Sequence, residues 1–370
     1  MATQYNLIRS ELSAIEPYNS GLSIEHVKQL YAPDQISKLG SNENPHGPSP
    51  KVSALFKNLE MLVNLYPDSS GSELRNELEK QFQTSSEQII LGNGSEDLLS
   101  VISRTFLRNK DRVITLYPSF PLHEDYAKFM GATVDPIAVN EHLEIDGDAL
   151  IAAASKPARM LMFANPMNPV GAWLNPENLS KVIEATHSKT LIVLDEAYFE
   201  YANGNDYASG IACLKASPNP WIVLRTFSKA WGLAGLRIGF GVCSSPELKQ
   251  AMDKTRTPFN VNSFAQTAAL EAMKDTPHMQ KCVEATLIER NLVRHSLEEW
   301  DYKVAPSNGN FLFFQTKGCA NTTNHELLKR GVIVKPWKQK SFDSFLRVSI
   351  GTPSENKHFL HSLSAIEVDQ

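Results

Sequence analysis

Chemistry is most legible between residues 225 and 241, where the chain reads RTFSKAWGLAGLRIGFG. Lys229 follows the apolar run WIVL and precedes AWGLAGL, so its amine is expected to be partly desolvated. Burial disfavours the ammonium form and lowers the pKa, leaving a nucleophilic free amine of the kind a Schiff base needs. Most lysines are solvated surface charges; the apolar setting separates this one from them. Thr226, Ser228 and Arg237 stand nearby. Two hydroxyls and a guanidinium are the donors that a phosphate monoester calls for.

A second run, LIVLDEAYFEY at 191–201, ends its apolar stretch on Asp195. Alone, such an aspartate reads as a helix cap or a loop carboxylate. Beside a Schiff-base lysine it has a defined task, holding the pyridine nitrogen of pyridoxal phosphate protonated so that the ring can act as an electron sink. The segment NPMNPVG at 165–171 follows another apolar run, and its two Asn-Pro steps are also strong turn formers. GNGSED at 92–97 leads from an apolar run into a helical pattern. Exposed amides at such a helix start suit a phosphate, though a simple capped turn explains the stretch equally well. The pair Gly239 and Gly241 lacks the third glycine of a dinucleotide fingerprint and reads as strand. His358 and His361 have no ligand-like neighbours in sequence, and no HExxH spacing occurs, so solvated helix residues are expected there and no metal site.

These residues must be positioned by something, and the chain's texture says what. Apolar runs at 88–91, 112–116, 160–164, 190–194, 221–224 and 238–242 read as buried strands bounded by Gly, Pro, Asn or Ser. Helical patterns at 73–82 and 97–106 lie among them. Strands alternating with helices imply an α/β fold with a mostly parallel sheet covered on both faces, and ligands then bind at the carboxyl ends of the strands. From about Phe264 the pattern changes to a long helical stretch at 265–297 with a break near Thr276-Pro277. Strands at 310–314, 332–335 and 345–350, a helix at 324–330 and a closing helix complete a smaller α+β domain. The expected division is an N-terminal segment 1–40 without sheet-like pattern, a large domain 41–265 and a small domain 266–370.

Composition sets the outer limits. The 370 residues carry 36 Lys+Arg and 41 Asp+Glu, a formal charge of −5, with 42% hydrophobic and 21% charged residues. That profile is globular, and its mild acidity argues against a nucleic-acid surface. Four scattered cysteines without a Cys-x-x-Cys pair fit a reducing cytoplasm. No apolar run approaches the ~18–20 residues of a membrane span, and the first twenty residues lack the apolar core of a signal peptide.

Taken together, the motifs resemble the fold-type I pyridoxal-phosphate aminotransferases, and among them the histidinol-phosphate aminotransferase family. The resemblance runs nearly end to end through LGSNENPHGPSP (39–50), YPDSSGSELR (66–75), GNGSED, NPMNPVG, DEAY, RTFSKAWGLAGLR, PFNVNS (258–263), NGNF (308–311) and LRVSIGT (346–352). It implies that Lys229 carries the pyridoxal 5'-phosphate, that Asp195 pairs with the ring nitrogen, and that Asn168 and Tyr198 bond the phenolic oxygen. It implies that Gly94, Ser95, Glu96, Ser228 and Arg237 surround the phosphate, and that Phe120, otherwise a core phenylalanine, stacks on the ring. Tyr66 would reach the cofactor phosphate of a neighbouring subunit, which implies a homodimer. Tyr18, Lys335 and Arg347 fall where the family binds substrate.

One departure stands out. The family usually has arginine where GVIVKPW places Lys335, and the following PWKQKSFDSF is locally basic. Arginine offers a planar fork to an anion, lysine a point charge. The resemblance implies transamination of L-histidinol phosphate with 2-oxoglutarate, with an aromatic amino-acid aminotransferase as the nearest alternative. A threonine-phosphate decarboxylase and a non-catalytic regulator on the same fold are more distant ones; the second is weakened by the presence of every residue the chemistry needs.

Overall fold

A computed structural model of the chain describes residues 7–13, 15–19, 21–57, 63–202 and 207–368. Its centre is a seven-stranded sheet of β1 (Ile89–Gly92), β2 (Arg112–Tyr117), β3 (Thr133–Ala138), β4 (Met160–Ala164), β5 (Leu191–Asp195), β6 (Trp221–Thr226) and β7 (Gly239–Cys243), in the spatial order β1-β7-β6-β5-β4-β2-β3. The pairs from β6 through β5, β4 and β2 to β3 are parallel, while β7 runs antiparallel to both β6 and β1. Strands β1, β4, β5, β6 and β7 are buried at every residue. Near-continuous apolar runs are what a sheet covered on both faces requires. One face packs Leu161, Phe163, Ile192, Leu194 and Val223. The other packs Met160, Met162, Val193, Ile222 and Leu224 against Leu98, Leu99 and Ile102 of the helix Ser95–Phe106.

Sequence periodicity did not indicate β3. Its TVDPIA segment carries Asp135 and Pro136, which break the apolar pattern, and it is tolerated because β3 is the edge strand. The smaller sheet comprises β8 (Phe311–Gln315), β9 (Lys335–Pro336) and β10 (Phe345–Ser349), antiparallel in the order β9-β10-β8. The expected strand 332–335 is therefore divided. Val332–Ile333 pairs in parallel with Ser37–Lys38, and only Lys335–Pro336 joins β10, with Lys335 directly opposite Arg347. The N-terminal segment thus contributes a strand that was not expected, being too short at two residues to show alternation. Leu39 joins Leu312, Phe314, Val348 and Phe359 in the core beneath. The helices Ser263–Met273 and Thr276–Glu299 lead from one sheet to the other, and Pro353–Val368 closes the fold. His358 on that last helix is half-buried and bonded to the Ser37 hydroxyl at 2.8 Å, so it is held rather than solvated as expected. Among the described residues no helix is long and apolar enough to cross a membrane.

This topology sends several chain ends to one edge. The carboxyl ends of β2, β4, β5 and β6 share it because those strands are parallel. The antiparallel β7 brings its amino end there, with Gly239 opposite both Thr226 and Gly92. Asp195 and Glu196 end β5 and point to different partners. Glu196 is buried, accepting from Arg225 Nε and Nη2 at 3.0 and 2.8 Å and from the Gly210 amide at 2.5 Å. Breaking a buried ion pair from one side typically costs ~3–5 kcal/mol, because the remaining charge is left without compensation. Glu196→Ala should therefore lower the urea midpoint of unfolding by a corresponding amount. An unchanged midpoint would show that this pair does not hold the strand end in place.

Candidate active site

A cleft of about 970 Å³ opens where the shared strand edge meets β9 and β10, and it is lined by Tyr18, Ser95, Glu96, Phe120, Asn168, Asp195, Tyr198, Ser228, Lys229, Arg237, Lys335 and Arg347. Lys229 lies just past the end of β6 and is half-buried, its amine donating to the Ser41 carbonyl at 3.1 Å. Burial, followed by the positive charge of Arg347, brings its pKa down to about 8. Asp195 is buried at the end of β5. Its Oδ2 lies 3.1 Å from His123 Nε2, and its Oδ1 accepts from the Ala197 amide at 3.1 Å. Phe120 meets His123 edge-on at 5.7 Å and Tyr18 edge-on at 6.0 Å between centroids.

One side of the cleft forms a cradle that could hold an anion. Gly94 adopts φ +90° at the N-cap of the helix Ser95–Phe106, and a Cβ there would come within 2.6 Å of Arg237 Nη2. A Cβ on Gly239 would come within 2.5 Å of the Ser95 amide nitrogen. Only glycine leaves the guanidinium and the helix start this close together. Arg237 itself sits at φ +59°, donating to the Ala234 carbonyl at 3.0 Å and lying 3.4 Å from the Ser228 hydroxyl. Glu96 enters the cradle differently from its neighbours. Its carboxylate accepts from the Tyr126 hydroxyl, which leaves its backbone amide as the group suited to an anion.

The other side comes from the smaller sheet. Arg347 on β10 is buried, with Nη1 donating to Asn168 Oδ1 and Nη2 to the Gly40 carbonyl, both at 2.7 Å. Its Nε is buried without a partner among the described residues. A guanidinium has five donors, so this one retains capacity for an incoming anion. Asn168 spends its oxygen on Arg347, which frees its amide nitrogen for the cleft. The Tyr198 hydroxyl accepts from Asn42 Nδ2 at 2.9 Å, and burial pushes its pKa up to about 12, so it enters the cleft as a neutral phenol. Lys335 donates to the Asn19 carbonyl and lies 5.9 Å from the Tyr18 ring centroid. Burial, then Arg347 and Lys338, lower its pKa to about 8.

Tyr66 is not in this cleft. It is 81% exposed and stacks on Phe259 at 4.4 Å. Two residues that sequence reading did not single out are present: His123, buried behind Phe120 and bonded to Asp195, and Asn42, bonded to Tyr198. Asn42 lay within a quoted motif, and its φ of +54° gives that asparagine a reason to be there. His123 offered only its place three residues after Phe120.

Residues 34–363 match the family described as aminotransferase class I and II. Histidinol-phosphate aminotransferase 1 of Mesorhizobium japonicum is 55% identical over 366 residues, covering 99% of this chain and all of that protein. Histidinol-phosphate aminotransferase 3 of Rhizobium meliloti is 52% identical, covering 99% of each. The crystal structure of histidinol-phosphate aminotransferase from Sinorhizobium meliloti in complex with pyridoxal-5'-phosphate superposes with a TM-score of 0.89 at 25% identity, covering 99% of each chain. The chain therefore belongs to the class I and II aminotransferases, and within them to the histidinol-phosphate aminotransferase family.

The electrostatics of Lys229 can be tested directly. Its pKa is depressed, so the amine is protonated below about 8 and free above it, whereas an exposed lysine stays protonated to about 10.4. In cofactor-free protein, trinitrobenzenesulfonate should label Lys229 with a rate that rises through pH 8 and then levels off. A rate still climbing at pH 10 would mean that burial does not perturb this amine.

Proposed function

We propose that this chain transfers the amino group of L-histidinol phosphate to 2-oxoglutarate, giving imidazole-acetol phosphate and glutamate in histidine biosynthesis. It uses pyridoxal 5'-phosphate and acts as a cytoplasmic homodimer. One observation carries this reading: cationic groups from both sheets, Arg237 on one side and Arg347 with Lys335 on the other, face the desolvated Lys229. A phosphorylated cofactor and a phosphorylated donor need two such anion sites.

The residues present fit the cofactor. The cradle of Gly94, Ser95, Glu96, Ser228 and Arg237 suits its phosphate, since the glycine positions leave open the space a Cβ would fill. Asp195 suits the ring nitrogen, Asn168 and Tyr198 suit the ring oxygen, and Phe120 suits the ring face. When bound, pyridoxal phosphate supplies the electron sink that makes removal of a proton from the donor's α-carbon affordable. Lys229 is the residue that would hold the cofactor through its amine, and the same amine, when free, is placed to take this proton as a base and to return it as an acid. Its pKa of about 8 lies close enough to neutrality for both tasks. His123 orients Asp195 and keeps its carboxylate hydrogen-bonded in a buried place.

Arg347 binds the anionic end of either substrate, the phosphate of the donor or the carboxylate of 2-oxoglutarate, because each offers two oxygens to its fork. Lys335 and Tyr18 assist at the same end. The exposed Tyr66 reaches the phosphate of a partner subunit's cofactor. The pairing of Ser37–Lys38 with Val332–Ile333 supports grouping residues 1–40 with a small domain 266–370, apart from a large domain 41–265.

Borohydride reduction of the holoenzyme should fix the pyridoxyl group on Lys229, and a label on another lysine would move the site. Removing a buried charged partner costs ~2–5 kcal/mol, or roughly 30- to 4,000-fold in rate. Arg347→Ala should therefore slow both half-reactions within that range while cofactor absorbance stays normal. Lys335→Ala should weaken histidinol phosphate more than phenylalanine. Steady-state rates with histidinol phosphate, phenylalanine and threonine phosphate decide the donor: a wild type that prefers phenylalanine is an aromatic aminotransferase instead.

A further inference from the structure

Across the cleft mouth runs a tie that the chemistry above does not use. Gln339 Oε1 accepts two hydrogen bonds, from the Trp337 indole Nε1 at 2.8 Å and from the Ser119 backbone amide at 3.0 Å. Neither donor can act as an acceptor, so the oxygen of the side chain, not its NH₂, must face them. Ser119 and Trp337 are both buried. A second tie runs parallel to the first, with the Tyr117 hydroxyl donating to the Lys340 carbonyl at 2.8 Å. Ser119 and Tyr117 belong to the end of β2 and its following loop, and the residues they hold follow β9. One amide oxygen thus joins the two sides of the cleft.

What lies at each end gives the tie its meaning. Ser119 directly precedes Phe120, and the Trp337 ring centroid lies 5.9 Å from the Arg347 guanidinium carbon. Lys335, Lys338 and Lys340 recur along this segment and all line the cleft. A lysine is a point charge on a flexible stem, so the place where such charges act is set by how firmly their backbone is held. Lys338 and Lys340 are exposed, and this backbone is held to the sheet edge by Gln339 and by the Tyr117 bond.

We propose that Gln339 is a positioning residue that fixes the basic segment 335–340 against Ser119 and thereby sets the preference for a phosphorylated over an unphosphorylated amino donor. The proposal rests on the donor assigned above. Gln339→Met keeps the length of the side chain and removes the acceptor. It should raise KM for histidinol phosphate about tenfold, the equivalent of about 1.4 kcal/mol and so of one or two ordinary hydrogen bonds. The value of kcat, the KM for phenylalanine and the cofactor absorbance should each stay within about twofold, the scatter expected when no such bond is lost. Trp337→Phe keeps an aromatic ring, though a smaller one, and removes one donor; combined with Gln339→Met it should cost less than the sum of the two changes, since both remove the same bond. The proposal is overturned if both donors lose equally, if kcat falls instead of KM rising, or if the two substitutions are additive. A wild type that does not turn over histidinol phosphate overturns the donor assignment itself, and is seen before any variant is made.

Discussion

Positive charge gathered in one partly buried cleft is the constraint from which the rest of this site follows. Lys229, Arg237, Lys335 and Arg347 all face one space. Burial first, and then the repulsion of the neighbouring Arg347, bring the pKa values of the two lysines down to about 8. Arginine cannot respond in this way, so Arg237 and Arg347 are instead tied down by neutral oxygens: the Ala234 carbonyl for one, the Gly40 carbonyl and the Asn168 amide for the other. Neutral acceptors orient a guanidinium without cancelling its charge. The site therefore stays attractive to anions, and it becomes electrostatically comfortable when they enter.

Getting these groups to one place is a matter of strand direction. A purely parallel sheet would deliver only carboxyl ends to the cleft. The reversal of β7 adds an amino end, and it is this that sets Arg237 and Gly239 beside Gly94 and the start of a helix. Asp195 and Glu196 show the same economy at the end of β5. Their successive side chains leave the strand on opposite sides, so that one carboxylate serves the cleft and the other neutralises Arg225 in the packing behind it. A chemical residue is thus fixed by a structural neighbour one position away.

Much of this could be read from the sequence, because the relevant signals are local. Asp195 ends an apolar run and Lys229 follows one closely, and a buried strand followed by polar residues indicates both the strand and its cleft-facing end. What escaped reading depends on distant partners. His123 gains its role from Asp195, 72 residues away, and Asn42 gains its role from Tyr198, 156 residues away. Gln339 meets Ser119 across 220 residues. No periodicity within any of these segments encodes such meetings. The missed strand β3 and the two-residue pairing at Ser37–Lys38 fail for a related reason, as one carries a proline and the other is too short for alternation. In both, pairing with a neighbour decides the structure.

Lys335 shows how a departure from a family pattern can be consistent with the site it occupies. It lies directly opposite Arg347 on paired strands, where two like charges oppose one another. An arginine in its place would keep its full charge under all conditions, and the pair would have to be held apart by packing alone. Lysine has a way out. With its pKa lowered to about 8 by burial and then by Arg347 and Lys338, it gives up a proton more readily than an exposed lysine does. The exchange sacrifices the bidentate fork of arginine for a charge that adjusts to its surroundings. Geometric definition must then come from elsewhere, from Arg347, whose fork is already oriented by Asn168 and Gly40, and from the backbone that carries the lysine.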